Sequence, residues 1–477
     1  MTTVISIEEA KNNFKNNNLA KFPDSLNRLM PEVWPEVISR FKLKPGEKIY
    51  TIGSCFARNI ELYLNECGFI IPTLDYEFPE DEKIGNRINS ILNKYTPPNI
   101  LQEIIWTKQI YDKGGKVTFE DCKDFSFKIK NQDLYLDLGL NIKNKAVSKQ
   151  RFLERRQQIY NISRNIFSSD CVVITLGLIE AWFDKQKSTY IQLSPFIYRD
   201  LLREGDRFEL HILNNAKCLE YIKKSIELIK SMNPDVKILL TTSPVSLGRT
   251  FTNQDIIIEN LYSKCILRAV CGEIYNTHDF VDYFPSFESV ILTKSWKPYA
   301  GDFIHITDEF VEKIVQKVKD NFLENKDESD SYFDLSKEYY EKNNIDQAIN
   351  LILKAINLSN KSHHLHFLSV LLFKTGKFDE STKYLESIIQ SNPAFSKAYY
   401  LLSKIDLKNG NYNKALELAQ KATKIKPANK IYDKNLYEIQ KLIKNKNKYL
   451  IKKSIKDAAK NIEKLLTRKF TPYDELF

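Results

Sequence analysis

Between residues 46 and 325, short apolar runs alternate with longer amphipathic stretches. Lys48–Ile52 (KIYTI), Cys171–Leu176 (CVVITL) and Val236–Thr241 (VKILLT) are short, rich in β-branched residues and bounded by turn formers, which predicts buried strands. Phe56–Cys67, Asn215–Met232, Asp255–Glu273 and Asp308–Phe322 place apolar residues three and four apart, as at Leu219, Ile222, Ile226 and Ile229. That spacing predicts helices with one buried face. Strand–helix alternation makes successive strands parallel, with helices on both faces of the sheet. The expected architecture of residues 46–325 is an α/β three-layer sandwich, with residues 1–45 packing on it as an N-terminal segment.

After Glu324 the pattern changes. ENKDESDS forms a charged hinge, and the chain beyond it is helical with a period of about 34 residues. Ala348, Ser381 and Ala415 fall in phase, as do Ser336, Ser369 and Ser403 twelve positions earlier. Pro393 and Pro427 recur at the unit end, where the first unit has Asn360, and Gly376 and Gly410 recur in the turn between paired helices. This pattern resembles the tetratricopeptide repeat, with three units over 329–428. Small residues let the two helices of a unit approach, and stacking buries what one unit cannot bury alone. The resemblance implies an all-α domain that docks a protein partner. Residues 429–477 continue an apolar stripe among many lysines and are expected to form a basic capping helix and tail. The alternative reading is a surface for an acidic polymer or an anionic membrane.

Composition narrows the classes. With 43% apolar and 12% aromatic residues in 477, the chain can build real cores. No apolar run approaches the roughly 20 residues that cross a bilayer, and the acidic N-terminus does not read as a signal peptide. Seven cysteines without CxxC spacing argue against a disulfide framework or zinc ribbon and fit a cytoplasmic location. Of the net charge of +10, +7 lies in residues 429–477 (13 Lys/Arg against 6 Asp/Glu), so no specific nucleic-acid partner is expected. There is no Gly-x-Gly-x-x-Gly or Walker sequence and no cofactor is expected. His363, His364 and His366 cluster on a repeat helix without ligands at metal-binding spacing, so no metal is expected.

Two places could carry chemistry. Gly53-Ser54-Cys55 ends the first strand and begins a helix, and sites in open α/β sheets form at the carboxyl ends of strands. The free N–H groups of a helix start favour a thiolate and can hold an oxyanion. A serine there also reads as an ordinary N-cap. The second place is Asp302-Phe-Ile-His305, ahead of a helix that Thr307 could cap. An aspartate at this spacing can hold the imidazole in one tautomer while its other nitrogen faces a nucleophile. Glu180 and Ser243, just past strand ends, read equally as substrate contacts or as caps.

Residues 46–325 resemble the GSCFA family, a branch related to the SGNH/GDSL hydrolases. The resemblance rests on IGSCFA at 52–57 and, in order, on 86–106, TLGLIEAW (175–182), NPDVKILLTTSPVSLGRTF (233–251), SKCILR (263–268), DYFPSFE (282–288) and GDFIH (301–305). It implies an SGNH/flavodoxin-like fold and an ester hydrolase or acyltransferase, most plausibly acting on acetyl groups of carbohydrate. Placed in register, it implies Cys55 as nucleophile, His305 as general base and Asp302 as its orienter, with Ser54 the alternative nucleophile. The relatives' Gly-x-Asn block is Gly177-Leu-Ile179 here, so the Asn is missing. Oxyanion contacts must come from the backbone around Gly53, Cys55 or Gly177, or from a side chain such as Asn93. The missing Asn also leaves open a catalytically silent scaffold that works through its repeats.

Overall fold

The computed structural model describes residues 4–16, 29–77, 79, 82, 88–141, 145–294, 296–323, 328–427 and 429–445. Parts of the expected N-terminal segment, hinge and basic tail (1–3, 17–28, 324–327 and 446–477) lie outside the described residues, as do residues 86–87. The chain divides into two compact units, Met1–Asp330 and Ser331–Phe477.

In the first unit, helix α1 (Ile7–Asn16) buries no residue. The central sheet is built from β1 (Ile49–Gly53), β4 (Cys171–Leu176), β8 (Lys237–Thr242) and β9 (Val281–Tyr283), in that spatial order and parallel throughout. Side chains alternate along the strands. Tyr50, Ile52, Val172, Ile174, Ile238 and Leu240 pack against α3 (Pro97–Asp112), α6 (Asn215–Met232) and α7 (Ile256–Thr277). Ile49, Cys171, Val173 and Leu239 face α2 (Cys55–Glu66), α8 (Ser286–Leu292) and α9 (Asp308–Phe322) on the other side. The three-layer sandwich expected from the strand–helix alternation is therefore present. Burying both faces explains why these strands read as unbroken apolar runs.

Two small antiparallel sheets, absent from the expectation, lie beside it. One pairs β2 (Ser126–Lys128) with β3 (Tyr135–Asp137), ahead of helix α4 (Lys149–Ser163). The other orders β6 (Thr189–Ile191), β5 (Glu180–Asp184) and β7 (Phe208–Ile212), with α5 (Arg199–Leu202) between β6 and β7. Residues 29–45 lie on the α/β core. Leu43 bridges Leu323, Arg40 N–H donates to Asp282 at 2.7 Å, and the rings of Trp34 and Phe310 stack at 5.2 Å.

The topology singles out one end of the sheet. After β1 the chain crosses through α2 and returns beside β1, where the Ile49 N–H donates to the Ile70 carbonyl at 2.9 Å. On the other side of β1 lies β4. Successive crossovers thus diverge at the end of β1, the position where sites form in open α/β sheets.

The second unit carries α10 (Glu328–Glu341), α11 (Ile345–Leu358), α12 (Ser362–Lys374), α13 (Phe378–Ser391), α14 (Ser396–Lys408) and α15 (Tyr412–Ile425). The small residues in phase are fully buried, and the Ser336 hydroxyl donates to the Ala348 carbonyl at 2.6 Å across its helix pair. Gly376 and Gly410 adopt φ +80° and +79°, and Asn343 holds φ +60° in the corresponding turn of the first unit. Asparagine tolerates that conformation better than most residues, which explains why the first unit lacks the glycine. A last helix over 430–445 buries Tyr432 and Ile439.

Candidate active site

Gly53 ends β1 at φ +138°, and a Cβ there would lie 2.1 Å from the Thr175 carbonyl oxygen, so only glycine fits. Its carbonyl accepts from the Lys94 N–H at 2.7 Å, and the next N–H, of Ser54, donates to the Thr175 carbonyl at 3.1 Å. The turn is thereby fixed against both neighbouring segments before the helix begins. Ser54 is the N-cap of α2: its buried hydroxyl accepts from the Phe56 N–H at 3.3 Å. The helix starts at Cys55, one residue earlier than the apolar spacing predicts. Cys55 therefore stands in the first turn, where no carbonyl lies one turn back to take its N–H. Its side chain is half-buried.

Below this turn, α2 carries a fully buried ion pair. The Arg58 guanidinium lies 2.7 Å from Glu61 and donates to the Thr51 carbonyl at 2.8 Å. Glu61 also accepts from Thr73 at 2.5 Å and from Asn89 at 2.6 Å. These bonds tie α2 to β1 and to the segment after the helix. Their visible signal was an Arg and a Glu three apart on an otherwise apolar helix face.

The opposite wall is the 296–307 loop. The Ala300 N–H donates to the His305 carbonyl at 2.7 Å, and the Thr307 N–H to the Pro298 carbonyl at 2.8 Å, closing the loop on itself. Thr307 caps α9, as expected, by accepting from the Phe310 N–H at 3.3 Å. Asp302 accepts from the backbone N–H groups of Ile304 and His305, both at 3.0 Å, and its other oxygen meets His305 Nδ1 at 2.6 Å. Burial alone would raise the Asp302 carboxyl, but the bonds from His305 and Ile304 outweigh it and hold the carboxyl down at about 2. With Nδ1 engaged by Asp302, Nε2 is the ring nitrogen left over. The hydrogen bond with Cys55 acts first, joined by that from Asp302; together they overcome burial and raise His305 to about 9. The arrangement favours the imidazolium form of His305, held in place by a carboxylate.

The remaining residues singled out in the sequence fall into two groups. Gly177 lies against the turn itself, since a Cβ there would be 3.0 Å from Ser54 Cβ and 2.9 Å from the Tyr95 carbonyl. Asn93 is buried and donates to the Tyr95 hydroxyl at 3.0 Å, which also receives Asn141 at 3.4 Å. Burial, and then the charge of Cys55, push the Tyr95 hydroxyl upward, which places this cluster in the field of the thiol. Glu180 and Ser243, by contrast, are engaged with backbone and loop. Glu180 accepts from Thr250 at 2.7 Å and from the Phe251 N–H at 3.1 Å, and buried Ser243 accepts from the Val245 N–H at 3.3 Å. At the position of the missing Asn, Ile179 is buried and its N–H donates to Ser263 at 3.2 Å.

One group escaped the sequence reading. Lys264 of α7 is 1% exposed, and its amine donates to the Gly177 carbonyl at 2.8 Å. It lies in phase with buried Leu267, Cys271 and Ile274, so the signal was a lysine on the core face of an apolar helix. In the repeat unit, half-buried His366 packs against Phe395, and desolvation together with Lys397 lowers it to about 3.

Comparison with known proteins agrees with this division of the chain. A model of the GSCFA family matches residues 48–318, more than half of the chain, and tetratricopeptide-repeat models match 329–362 and 372–434. Among curated proteins none matches. Similar solved structures are repeat domains. The Sgt2 tetratricopeptide-repeat domain from Aspergillus fumigatus is 17% identical, with 26% of this chain and 83% of that one covered at a TM-score of 0.25. The first such domain of Spaghetti (RPAP3), bound to an HSP90 peptide, is 15% identical, with 24% and 92% covered at 0.23. The Arabidopsis OM64 domain is 16% identical, with 24% and 94% covered at 0.23.

Proposed function

This chain belongs to the GSCFA family, and from the geometry around Cys55 we propose that its α/β domain cleaves or transfers an acyl ester. The observation that carries the proposal is the His305–Asp302 pair, with Nδ1 at 2.6 Å from the carboxylate, whose imidazole is raised first by Cys55, a half-buried thiol at a helix start.

The chemistry follows from the charges. The Cys55 thiolate attacks the ester carbonyl, and the negative charge moves to the carbonyl oxygen, within reach of the first N–H groups of α2. The His305 imidazolium gives its proton to the departing alkoxide as the C–O bond breaks, leaving a thioester on Cys55 and a neutral imidazole. That imidazole then takes a proton from water, for hydrolysis, or from an acceptor hydroxyl, for transfer. The incoming oxygen displaces the thiolate, and the starting pair is restored. Ser54 is the weaker candidate for nucleophile because its hydroxyl is buried in the cap.

A carbohydrate O-acetyl group is the substrate we favour. Two rings on the loop that carries His305, Trp296 and Phe303, are 63% and 59% exposed with centroids 5.8 Å apart, and offer apolar faces to a sugar. Both hold a left-handed backbone, at φ +51° and +56°, a strain that clusters at functional sites. The repeats would dock a protein partner. Among the described residues no helix is long and apolar enough to cross a membrane.

Turnover of an activated acetyl ester tests the proposal. Cys55→Ala and His305→Ala are each expected to remove nearly all of it without shifting the unfolding transition. Wild-type-like rates in both would refute the assignment. They would leave the second reading, a silent domain serving the repeats, which the buried Ile179 in place of the relatives' Asn favours.

A further inference from the structure

A lysine amine is among the costliest groups to bury, and burial without a carboxylate is rarer still. Lys264 is such a group. Its side chain is 1% exposed, its amine donates to the Gly177 carbonyl at 2.8 Å, and among the described residues no carboxylate pairs with it. The turn it holds lies directly on the Gly53–Cys55 turn, because Gly177 is so close to Ser54 that a Cβ would stand 3.0 Å from the serine's own. Two further bonds hold the same turn without using charge. The Leu178 N–H donates to the Tyr95 carbonyl at 2.8 Å, and the Ile179 N–H to Ser263 at 3.2 Å. Holding the turn therefore does not require an ammonium group.

We propose that Lys264 is a positioning residue that supplies a buried positive charge behind the Gly177 turn, so that the Cys55 thiolate is flanked by two cations, His305 on the solvent side and Lys264 on the core side. The inference rests on the reading of Cys55 as the nucleophile. It also accounts for a site that works without the relatives' Asn, since a cation behind the turn favours negative charge on the thiolate and on the oxygen that receives its electrons. Burial lowers the Lys264 amine to about 7, and the one ionisable group that counters this is Cys55. The ammonium form is thus favoured when the thiolate is present. The titratable and charged groups coupled electrostatically to the thiol are His305 from the 296–307 loop, Tyr95 from the segment before α3 and Lys264 from α7. Asp302 acts through His305, and Arg58 of α2 acts through Tyr95.

The test reads the thiolate rather than turnover, so its failure is separable from failure of the enzymatic reading. Cys55 is alkylated in the full chain across a range of pH with neutral iodoacetamide and with anionic iodoacetate. The modification is read by peptide mass, with exposed Cys265 as the internal reference. In Lys264→Met, the midpoint of Cys55 reactivity is expected to move up by about one pH unit, a roughly tenfold loss of rate on the acid side. The advantage of iodoacetate over iodoacetamide at Cys55 should shrink, while Cys265 stays unchanged. Lys264→Gln keeps a donor for the Gly177 carbonyl but removes the charge, and is expected to behave like Lys264→Met. Ser263→Ala loosens the same turn without altering charge and should leave the midpoint in place. Rescue by Lys264→Gln, an equal shift in Ser263→Ala, or a midpoint within 0.2 units of wild type in the folded variants would overturn the proposal, the last being less than a twofold change in rate.

Discussion

The two units bury polar groups in opposite ways. In the repeat unit the buried polar positions are mainly small. Ser336 and Ser381 each donate to a carbonyl of the neighbouring helix, at 2.6 and 2.9 Å, and Ser369 to its own helix at 2.8 Å. They are spacers that bring helices together, and buried charge is confined to single residues such as Asp406 and Lys426. In the α/β unit, whole charges are taken inside: Arg58 with Glu61, Lys94 with Glu103 at 2.8 Å, Arg155 with Glu82 at 2.9 Å, Arg207 with Asp184 at 2.6 Å, and Lys264. Burying ion pairs is a poor way to gain stability, because desolvation offsets the attraction. Those nearest the end of β1, Arg58 with Glu61 and Lys264, tie the turn that carries Cys55 to the segments around it. The repeats resemble a packing solution, and the α/β unit an electrostatic one.

The comparison breaks most severely at the relay. Asp302→Asn removes the negative charge that supports the His305 imidazolium, and acylation is expected to fall by about 10²–10⁴-fold, measured as the rate of thioester formation. The pH profile sharpens the test. His305 is raised from an ordinary 6.5 to about 9, so the proton it donates is fully in place below about 6.5 and is lost as the pH rises through about 9. Asp302 is depressed from 3.8 to about 2, so its side of the pair fails only as the pH falls through about 2. Acylation in the wild type should therefore decline on the alkaline side near pH 9, and in Asp302→Asn that decline should begin at lower pH.

A smaller effect is expected from the ion pair that holds the turn. Glu61→Ala leaves Arg58 buried without its carboxylate and should destabilise the α/β unit by about 3–5 kcal/mol, read by denaturant unfolding, while the transition of the repeats stays in place. The double change Arg58→Met with Glu61→Leu should recover most of the stability and little of the activity. If stability and activity recover together, the pair is structural filler. Smallest of all are changes in the repeats. Ala415→Leu overpacks a fully buried helix contact and should destabilise that unit by about 1–3 kcal/mol. Gly376→Ala, at φ +80°, should do so by about 1–2 kcal/mol. Neither should alter thioester formation.

Much of this was legible in the residues. The three central strands and four flanking helices follow from the period of apolar positions. The repeat phase follows from small residues at fixed intervals, because both periods reflect burial on a regular surface. The pairing of Asp302 with His305 was legible because the two are close in sequence, while the role proposed for Cys55 came from the family resemblance. What escaped depends on contacts between distant segments. β5, β6 and β7 are three to five residues long and half-exposed, and they declare themselves only when paired. Lys264 looks in sequence like one lysine that could extend its amine to solvent; that it cannot is set by α7 packing under the Gly177 turn. The start of α2 at Cys55 rather than Phe56 matters more than one residue usually does, since it puts the thiol on the helix's first turn, with Ser54 serving as its cap.

The most direct measurement is the intact mass of the protein after brief exposure to an activated acetyl ester, compared among wild type, Cys55→Ala and Ser54→Ala. The account predicts one added acetyl group in the wild type and in Ser54→Ala, and none in Cys55→Ala. An adduct that persists in Cys55→Ala and disappears in Ser54→Ala would contradict it.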